Sequence, residues 1–293
     1  MGTHLEQSRL NGAHMEGTQL TLAHLEQANL WHAHLINVQL VAAHLEGTRF
    51  NHTYLLEEVF LDRAILVDKK GIGPRLADAY WENVHLAVVN WSQMKMLGDE
   101  YKARLEMDSD GKKKSKVQKL NEYETAVRAN RQLAVVLQAQ GLNEDAARFA
   151  YRSQMLQKRV FWFQILQKGA KLRQRVRALG SWLFSWFLYL LAGYGYRPFR
   201  SFLAYLFVIA GFATVYYLLG LSDVGPHHIL GSHYLTWYGA IVVSMTAFHG
   251  RGFFAGTFQP GDPQAFVAAL EALVGLIIEV TFIATLTRRL FGQ

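Results

Sequence analysis

From Leu5 onward one bulky apolar residue recurs every five positions: Leu5, Leu10, Met15, Leu20, Leu25, Leu30, Leu35, Leu40, Leu45, Phe50, Leu55, Phe60 and Ile65. Neither the 3.6-residue period of an α-helix nor the two-residue alternation of a strand produces this register. Two positions ahead of each bulky residue stands a small or β-branched one, Thr3, Ser8, Ala13, Thr18, Ala23, Ala28, Ala33, Val38, Ala43, Thr48 and Thr53, until Glu58 breaks the rule. One large and one small inward residue per five makes each pentapeptide one side of a four-sided coil, so about 20 residues complete a turn and coils stack at the ~4.8 Å strand spacing. Leu5, Leu25, Leu45 and Ile65 then form one interior column.

About a dozen consecutive units make this pattern resemble that of the pentapeptide-repeat proteins, over residues 1 to about 67 with a later fragment. The resemblance implies an N-terminal right-handed quadrilateral β-helix. Residues 1 to 67 make only about three coils, near the minimum for a self-supporting solenoid, and such stacks need capped ends. The first coil carries no cap of its own, so either a longer array or another subunit or segment is expected to cover it. Some pentapeptide-repeat proteins are acidic duplex mimics, but seven acids against three arginines in residues 1 to 67, a balance of −4, are too few for mimicry. No nucleic-acid partner is expected.

His4, His24 and His44 fall 20 apart and stack on one outer face, His14 and His34 on another, with Glu6, Glu26 and Glu46 two positions beyond the first set. One reading is a metal ladder. The preferred one is a row of solvated polar positions, because rungs ~4.8 Å apart on an open wall supply no preorganised tetrahedral shell. No metal and no cofactor is expected.

The segment DKKGIGPRL, 68 to 76, breaks the repeat with Gly and Pro. Val84-His85-Leu86-Ala87 and Val89-Asn90-Trp91-Ser92 restore its spacing and are expected to close the last coil. Asp108 to Gly111 followed by Lys112 to Lys116 reads as an exposed loop. Glu122 to Gly141 and Asn143 to about Gln164 form a helical hairpin, with Gly141 at the C′ position, Asn143 as N-cap, and Glu144 and Asp145 at the positive end of the second helix. Leu133, Ala134, Leu137, Gly141 and Ala146 make this hairpin similar to one tetratricopeptide unit. A packing linker is preferred over a peptide-binding module.

From Arg152 to Arg200 there are ten Lys or Arg and no Asp or Glu, more than the whole formal excess of +7. Placed directly before a membrane span, such a block reads as a contact with anionic headgroups, through Lys168, Lys171, Arg173, Arg175 and Arg177. The uncharged stretch Ala178 to Tyr196 is expected to lie in the interface, because crossing would strand one of its flanking basic clusters on the wrong side. Zero cysteines exclude disulfides and thiolate chemistry and fit a reducing compartment. The start Met1-Gly2-Thr3-His4 leads straight into patterned sequence, so no signal peptide is expected.

Ser201 to Gly220 is an uncharged run of 20 residues, and Phe266 to Thr287 is broken only by Glu271 and Glu279. Each is long enough for the ~30 Å hydrocarbon core. Between them Leu235 to Met245 is too short to cross and ends at Thr246-Ala247-Phe248-His249-Gly250. This order of span, short helix, turn and span resembles the two-transmembrane pore module of the potassium-channel superfamily over roughly Phe199 to Gly292. With Thr246 at the family's filter threonine, Ala247, Phe248, His249 and Gly250 fall where Val, Gly, Tyr and Gly are usual, and Arg251 falls where Asp is usual. The resemblance implies a pore and a tetramer around it. Glu271, Gly275 and Glu279, spaced i, i+4 and i+8, share one face of the second span. A carboxylate there normally faces protein or water, which marks Glu279 as the first candidate for lining the path. The alternatives are a protonated Glu bonded to a neighbouring helix and, for Gly275, a bending point or a close-packing site.

The expected organisation is mixed: a capped pentapeptide-repeat β-helix over 1–98, a loop and tetratricopeptide-like hairpin over 99–165, a basic segment and interfacial helix over 166–198, and a pore module with a re-entrant loop over 199–293. The expected function is a homotetrameric, weakly selective cation channel of the bacterial inner (plasma) membrane with both termini cytosolic. Its partners are inorganic ions, membrane lipids and an unknown cytosolic partner or ligand on the solenoid. The alternatives are an anion-permeable pore and a membrane-tethered scaffold without conduction. No triad, phosphate loop or thiolate cluster supports an enzyme.

Overall fold

The computed structural model describes residues 2–108, 110–167, 172–195, 198–222, 236–250 and 263–291, and the chain divides into two compact units, Met1–Phe184 and Ser185–Gln293. Lys168, Lys171 and Arg251, three of the residues singled out above, lie outside the described residues.

In the first unit the repeat winds into stacked coils. Strands β1 (His14–Glu16), β2 (His34–Ile36), β3 (Tyr54–Leu56) and β4 (Tyr80–Trp81) pair in parallel in that order. His14 stands opposite His34 and His34 opposite Tyr54, while bridges such as His4 to His24, Arg9 to Asn29 and Gln19 to Gln39 repeat the same 20-residue offset. The chain turns every five residues, each turn using one residue in the left-handed region, from Gln7, Gly12, Gly17 and Leu22 through to Glu57. Leu25, Leu30, Leu35, Leu40 and Leu45 fill the interior, with Ala23, Ala28, Ala33 and Ala43 between them. The buried Thr48 and Thr53 satisfy their hydroxyls by donating to Leu25 O at 2.8 Å and Leu30 O at 2.6 Å.

One expectation is corrected here. Ile65 does not continue the column of Leu25 and Leu45. Glu57 and Glu58 both take left-handed φ, 50° and 58°, so this corner holds one residue more than the others, and pairing moves to Gln39 with Phe60 and His44 with Ile65. Val59, Leu61 and Leu66 become the buried set while Ile65 is 42% exposed. A one-residue shift exchanges inward and outward positions, and Glu58, the first break in the small-residue rule, marks where it happens. The DKKGIGPRL segment does break the repeat: its first residues are an insertion held by Asp68, whose carboxylate accepts from Lys70 N at 2.9 Å and Ile72 N at 2.8 Å, and pairing resumes inside it at Arg75 opposite Arg49, then at Tyr80 opposite Tyr54, at a 26-residue offset. Two 3₁₀ turns, Leu86–Val88 and Trp91–Gln93, then bury Leu86 and Trp91, the Trp91 indole donating to Leu86 O at 2.8 Å.

Helix α1 (Gly98–Arg104) leads to the hairpin of α2 (Lys116–Ala139) and α3 (Asn143–Ile165). The lysine-rich stretch before α2 is exposed over residues 110–113, as expected, and reverses direction: Met107 pairs antiparallel with Lys113, and the one buried lysine, Lys114, bonds Glu122 at 2.7 Å and Lys102 O at 2.5 Å. Helix α2 starts at Lys116, capped by Ser115, well before Glu122. Asn143 is the first helical residue of α3, and Leu142, without a side-chain bond, takes the cap position. Gly141, at φ 77°, makes the turn between the helices. The hairpin lies on the coils through polar contacts from α2: Asp78 N donates to Gln132 Oε1 at 2.8 Å and Leu86 N to Gln140 Oε1 at 2.9 Å. Asp99 ties α1 to the same wall, accepting from Leu76 N at 2.7 Å, Asn51 Nδ2 at 2.9 Å and Ala77 N at 3.3 Å. Burial pushes its carboxyl above the usual aspartate range despite these three donors.

Helix α4 (Leu172–Ala192) contains the boundary between the units, and the second unit continues with α5 (Pro198–Ser222), α6 (Trp237–Phe248) and α7 (Pro263–Phe291). Among the described residues, α5 and α7 are the helices long and apolar enough to cross a membrane, over Phe199–Leu219 and Gln264–Thr287. Only 17% and 22% of these windows are buried, unlike the core helix of a soluble domain, and large apolar side chains such as Phe207, Leu218, Leu276 and Ile283 point outward.

Candidate functional site

Helix α6 is a run of twelve residues, capped by Thr236, whose hydroxyl accepts from Gly239 N at 3.4 Å. At 1.5 Å per residue it is about 18 Å long, well short of the ~30 Å hydrocarbon core. Its contacts give its direction. Ala240 clusters with Ala213, Tyr216 and Ala268; Ser244 meets Ile209 and Glu271; Phe248 meets Tyr205 and Ile278; and His249 meets Tyr205 and Glu279. Along α6 the partners on α5 descend and those on α7 ascend, so α6 runs antiparallel to α5 and parallel to α7. It ends beside Glu279, partway along the second apolar window.

The stripe Glu271, Gly275, Glu279 faces α6, and each member meets a different part of it. Glu271 is fully buried, and its Oε1 lies 2.5 Å from Ser244 Oγ, which also donates to Ile209 O at 3.0 Å. The Ser244 hydroxyl links the Glu271 carboxyl on α7 to the backbone of α5. The packed, hydrogen-bonded arrangement weighed for Glu279 is thus found at Glu271. Gly275 is a close-packing site: a Cβ there would come within 2.1 Å of Phe248 O. Glu279 keeps 39% of its side-chain surface and lies 3.6 Å from His249 Nε2. The opposite ring nitrogen, Nδ1, contacts Met245 O at 2.7 Å; a carbonyl only accepts, so Nδ1 carries the proton and Nε2 faces the carboxylate.

The filter-like strip is placed differently from an extended loop. Thr246, Ala247 and Phe248 form the last turn of α6, where the Thr246 hydroxyl donates back to Val242 O (3.0 Å) and Val243 O (2.9 Å). Phe248 is 1% exposed and its ring stands edge-on to Tyr205, so it packs among the helices instead of lining a gap within the subunit. His249 and Gly250, the latter at φ 62°, make the turn that follows. Sequence reasoning passed over Ser244 and Tyr216, the two hydroxyl side chains set against Glu271. The available signal was a lone serine inside the apolar run Ile241 to Met245.

Of the basic residues, Arg173, Arg175 and Arg177 are exposed on the first two turns of α4, and Arg175 donates to Gln167 O at 3.0 Å. Leu172, Val176 and Leu183 of the same helix are exposed as well, so cationic and apolar side chains share its surface, as at a membrane interface.

On the solenoid the histidine columns stack as spaced: His4 on His24 and His24 on His44, with ring centroids 4.9 and 4.7 Å apart, and His14 on His34 at 4.7 Å. Donor atoms of His24, Glu26 and His44 lie within 4.8 Å of one another, the number and type a divalent cation would use. Yet His4 and His24 turn Nδ1 to Glu6 (2.8 Å) and Glu26 (3.0 Å), and His44 lies 3.5 Å from Glu46, so each ring already has a carboxylate beside it. The bond from Glu26 raises the His24 pKa, and that same bond holds Glu26 low against the desolvation that opposes it.

Residues 1–30 and 18–55 match the family model for pentapeptide repeats in its eight-copy form. Comparison with the curated proteins gives no match. The chain carries pentapeptide repeats at its N-terminus and, beyond them, two helices able to cross a membrane.

Proposed function

We propose that the chain is one subunit of a homotetrameric ion channel of the inner (plasma) membrane, weakly selective for cations, whose pentapeptide repeats wind as a right-handed quadrilateral β-helix in a cytosolic body. The observation that carries this reading is α6: an apolar helix too short to cross, packed between two membrane-length helices and ending beside Glu279. Two crossings and one half-crossing cannot enclose a path alone, hence four copies. Glu279, partly exposed and facing His249 as its one ion-pair contact among the described residues, is the charge offered to a permeating ion, and four copies concentrate cations. Thr246 to Phe248 are helical and so offer no stack of backbone carbonyls, and strong discrimination of potassium from sodium is not expected. No catalytic role is assigned.

Purified protein in planar bilayers tests this. Unitary currents with a potassium-to-sodium permeability ratio near one are expected, and Glu279→Gln lowers the conductance without changing assembly. Arg251→Asp should move the reversal potential toward cations, and a parent reversal potential that follows the anion gradient would establish the anion-permeable pore instead. The burial of Phe248 in the bundle favours a second reading, a membrane-tethered scaffold; silence across voltage, pH and tension would establish it. The same reading puts both termini in the cytosol and predicts that on intact cells Ser222→Cys reacts with an impermeant thiol reagent and Gln138→Cys does not; the chain's lack of cysteine keeps the background clean.

A further inference from the structure

A groove of about 490 Å³ opens between the wall of the coils and helices α1 and α2, within the first unit. This is the size range of small-ligand sites. Its floor is built by the repeat itself: Asn29, Arg49 and Arg75 occupy the same position on successive coils, so the two arginines project from adjacent rungs ~4.8 Å apart. Trp31, 47% exposed, stands at one side, and Lys102 and Arg128 reach in from the helices.

The charges in the groove are unevenly satisfied. Asp78 is held by Arg128 at 3.2 Å and lies 3.7 Å from His52. Asp99 is saturated by its three donors. Glu122 bonds the buried Lys114 at 2.7 Å and lies 3.8 Å from Lys102. Every carboxylate lining the groove thus has a partner, whereas Arg49 and Arg75 have no hydrogen-bond or ion-pair partner among the described residues. The two guanidiniums side by side repel one another, and desolvation and Arg49 weaken the hold of Arg75 on its proton more than the nearby Asp99 and Glu122 carboxylates strengthen it. A bound anion relieves that repulsion, and arginine pairs match the oxygens of phosphate.

We propose that this groove binds a small soluble phosphate ester, its phosphate bridging Arg49 and Arg75 and a planar group, where one is present, resting against Trp31. The site belongs to the repeat unit alone and does not require that the second unit conduct.

The test uses the full chain in detergent with two probes, inorganic phosphate and adenosine 5′-monophosphate, measured by equilibrium dialysis, with acetate as a carboxylate competitor. Saturable binding of both probes is expected, tighter for the nucleotide and poorly displaced by acetate. Arg49→Gln, at an exposed position, and Arg75→Gln should each weaken phosphate binding by about tenfold or more, the scale of one charge-assisted contact. Trp31→Ala should remove the advantage of the nucleotide and leave phosphate unchanged, and Arg131→Gln, on the same helix pair but outside the groove, should change neither. Melting curves identify any variant that has lost its fold; Arg49→Lys, which keeps the charge but not the two-pronged geometry, then serves instead and should bind more weakly than the parent. Absence of saturable binding at millimolar probe, or binding that survives the Arg49→Gln/Arg75→Gln double substitution, would overturn the assignment.

Discussion

At Gly275 one added methyl group would press into the backbone of Phe248, and the helix pair has no flexible side chain there to give way. Gly275→Ala should therefore destabilise the helical unit by about 1–3 kcal/mol, read as a lowered melting temperature in detergent. An unchanged melt would mean that Gly275 serves as a hinge and not as a contact. Asp99 acts in the opposite sense, by satisfying donors. Removing its carboxylate leaves Leu76 N, Ala77 N and Asn51 unpaired in a buried wall, so Asp99→Ala should cost the solenoid about 2–3 kcal/mol. His24 supplies a pH dependence. Its pKa is raised above 6.5 in the fold by Glu26, so its contribution is complete below 6.5 and is lost as the pH rises through the higher folded value. The melting temperature of the first unit should fall slightly from pH 6 to pH 9, and His24→Gln should flatten that slope. Asp99 and Glu271 share one trait: a carboxyl inside the protein acquires partners from elements distant in sequence, and no local pattern names those partners.

Among the elements, the coil corner at Glu57 and Glu58 is the informative one. Every other corner between Gln7 and Gln39 keeps a 20-residue pairing, whereas this one takes two left-handed residues and moves the following side forward by one. Deleting Glu58 should return the pairing to the regular offset and leave the protein folded. Deleting Gln27, in a regular corner, should exchange inward and outward residues in the following side and abolish folding. Circular dichroism and limited proteolysis of the two deletions separate these outcomes, and equal tolerance of both would show that the coils do not depend on register. Helix α6 shows the complementary case. Its shortness and apolarity were legible in the chain, yet whether Thr246 to Phe248 would uncoil or stay helical depended on Phe248 finding Tyr205, Ile209 and Ile278 to pack against.

For the molecule as a whole, the outward-facing apolar side chains of α5 and α7 need lipid or other subunits to cover them. Native mass spectrometry in mild detergent should give a species of four copies of the 33.3 kDa chain. A monomer or dimer that persists in lipid nanodiscs would remove the enclosed path on which the channel reading depends.

What the sequence determined alone is what repeats or accumulates locally. The period of five specified stacked coils because one large and one small residue per side leave no other packing, and two long apolar runs specified membrane-length helices because composition and length suffice for that. The shared face of Glu271, Gly275 and Glu279 followed from helix geometry in the same way. Tertiary structure decided which member of that stripe is buried and which is partly exposed, because the answer lies in Ser244 and His249 on another helix. It also decided where inside the DKKGIGPRL segment the pairing resumes, since the bridge of Arg49 with Arg75 is a contact between coils. The groove above those arginines is likewise a product of coils, α1 and α2 meeting across distances in the chain that no local pattern spans.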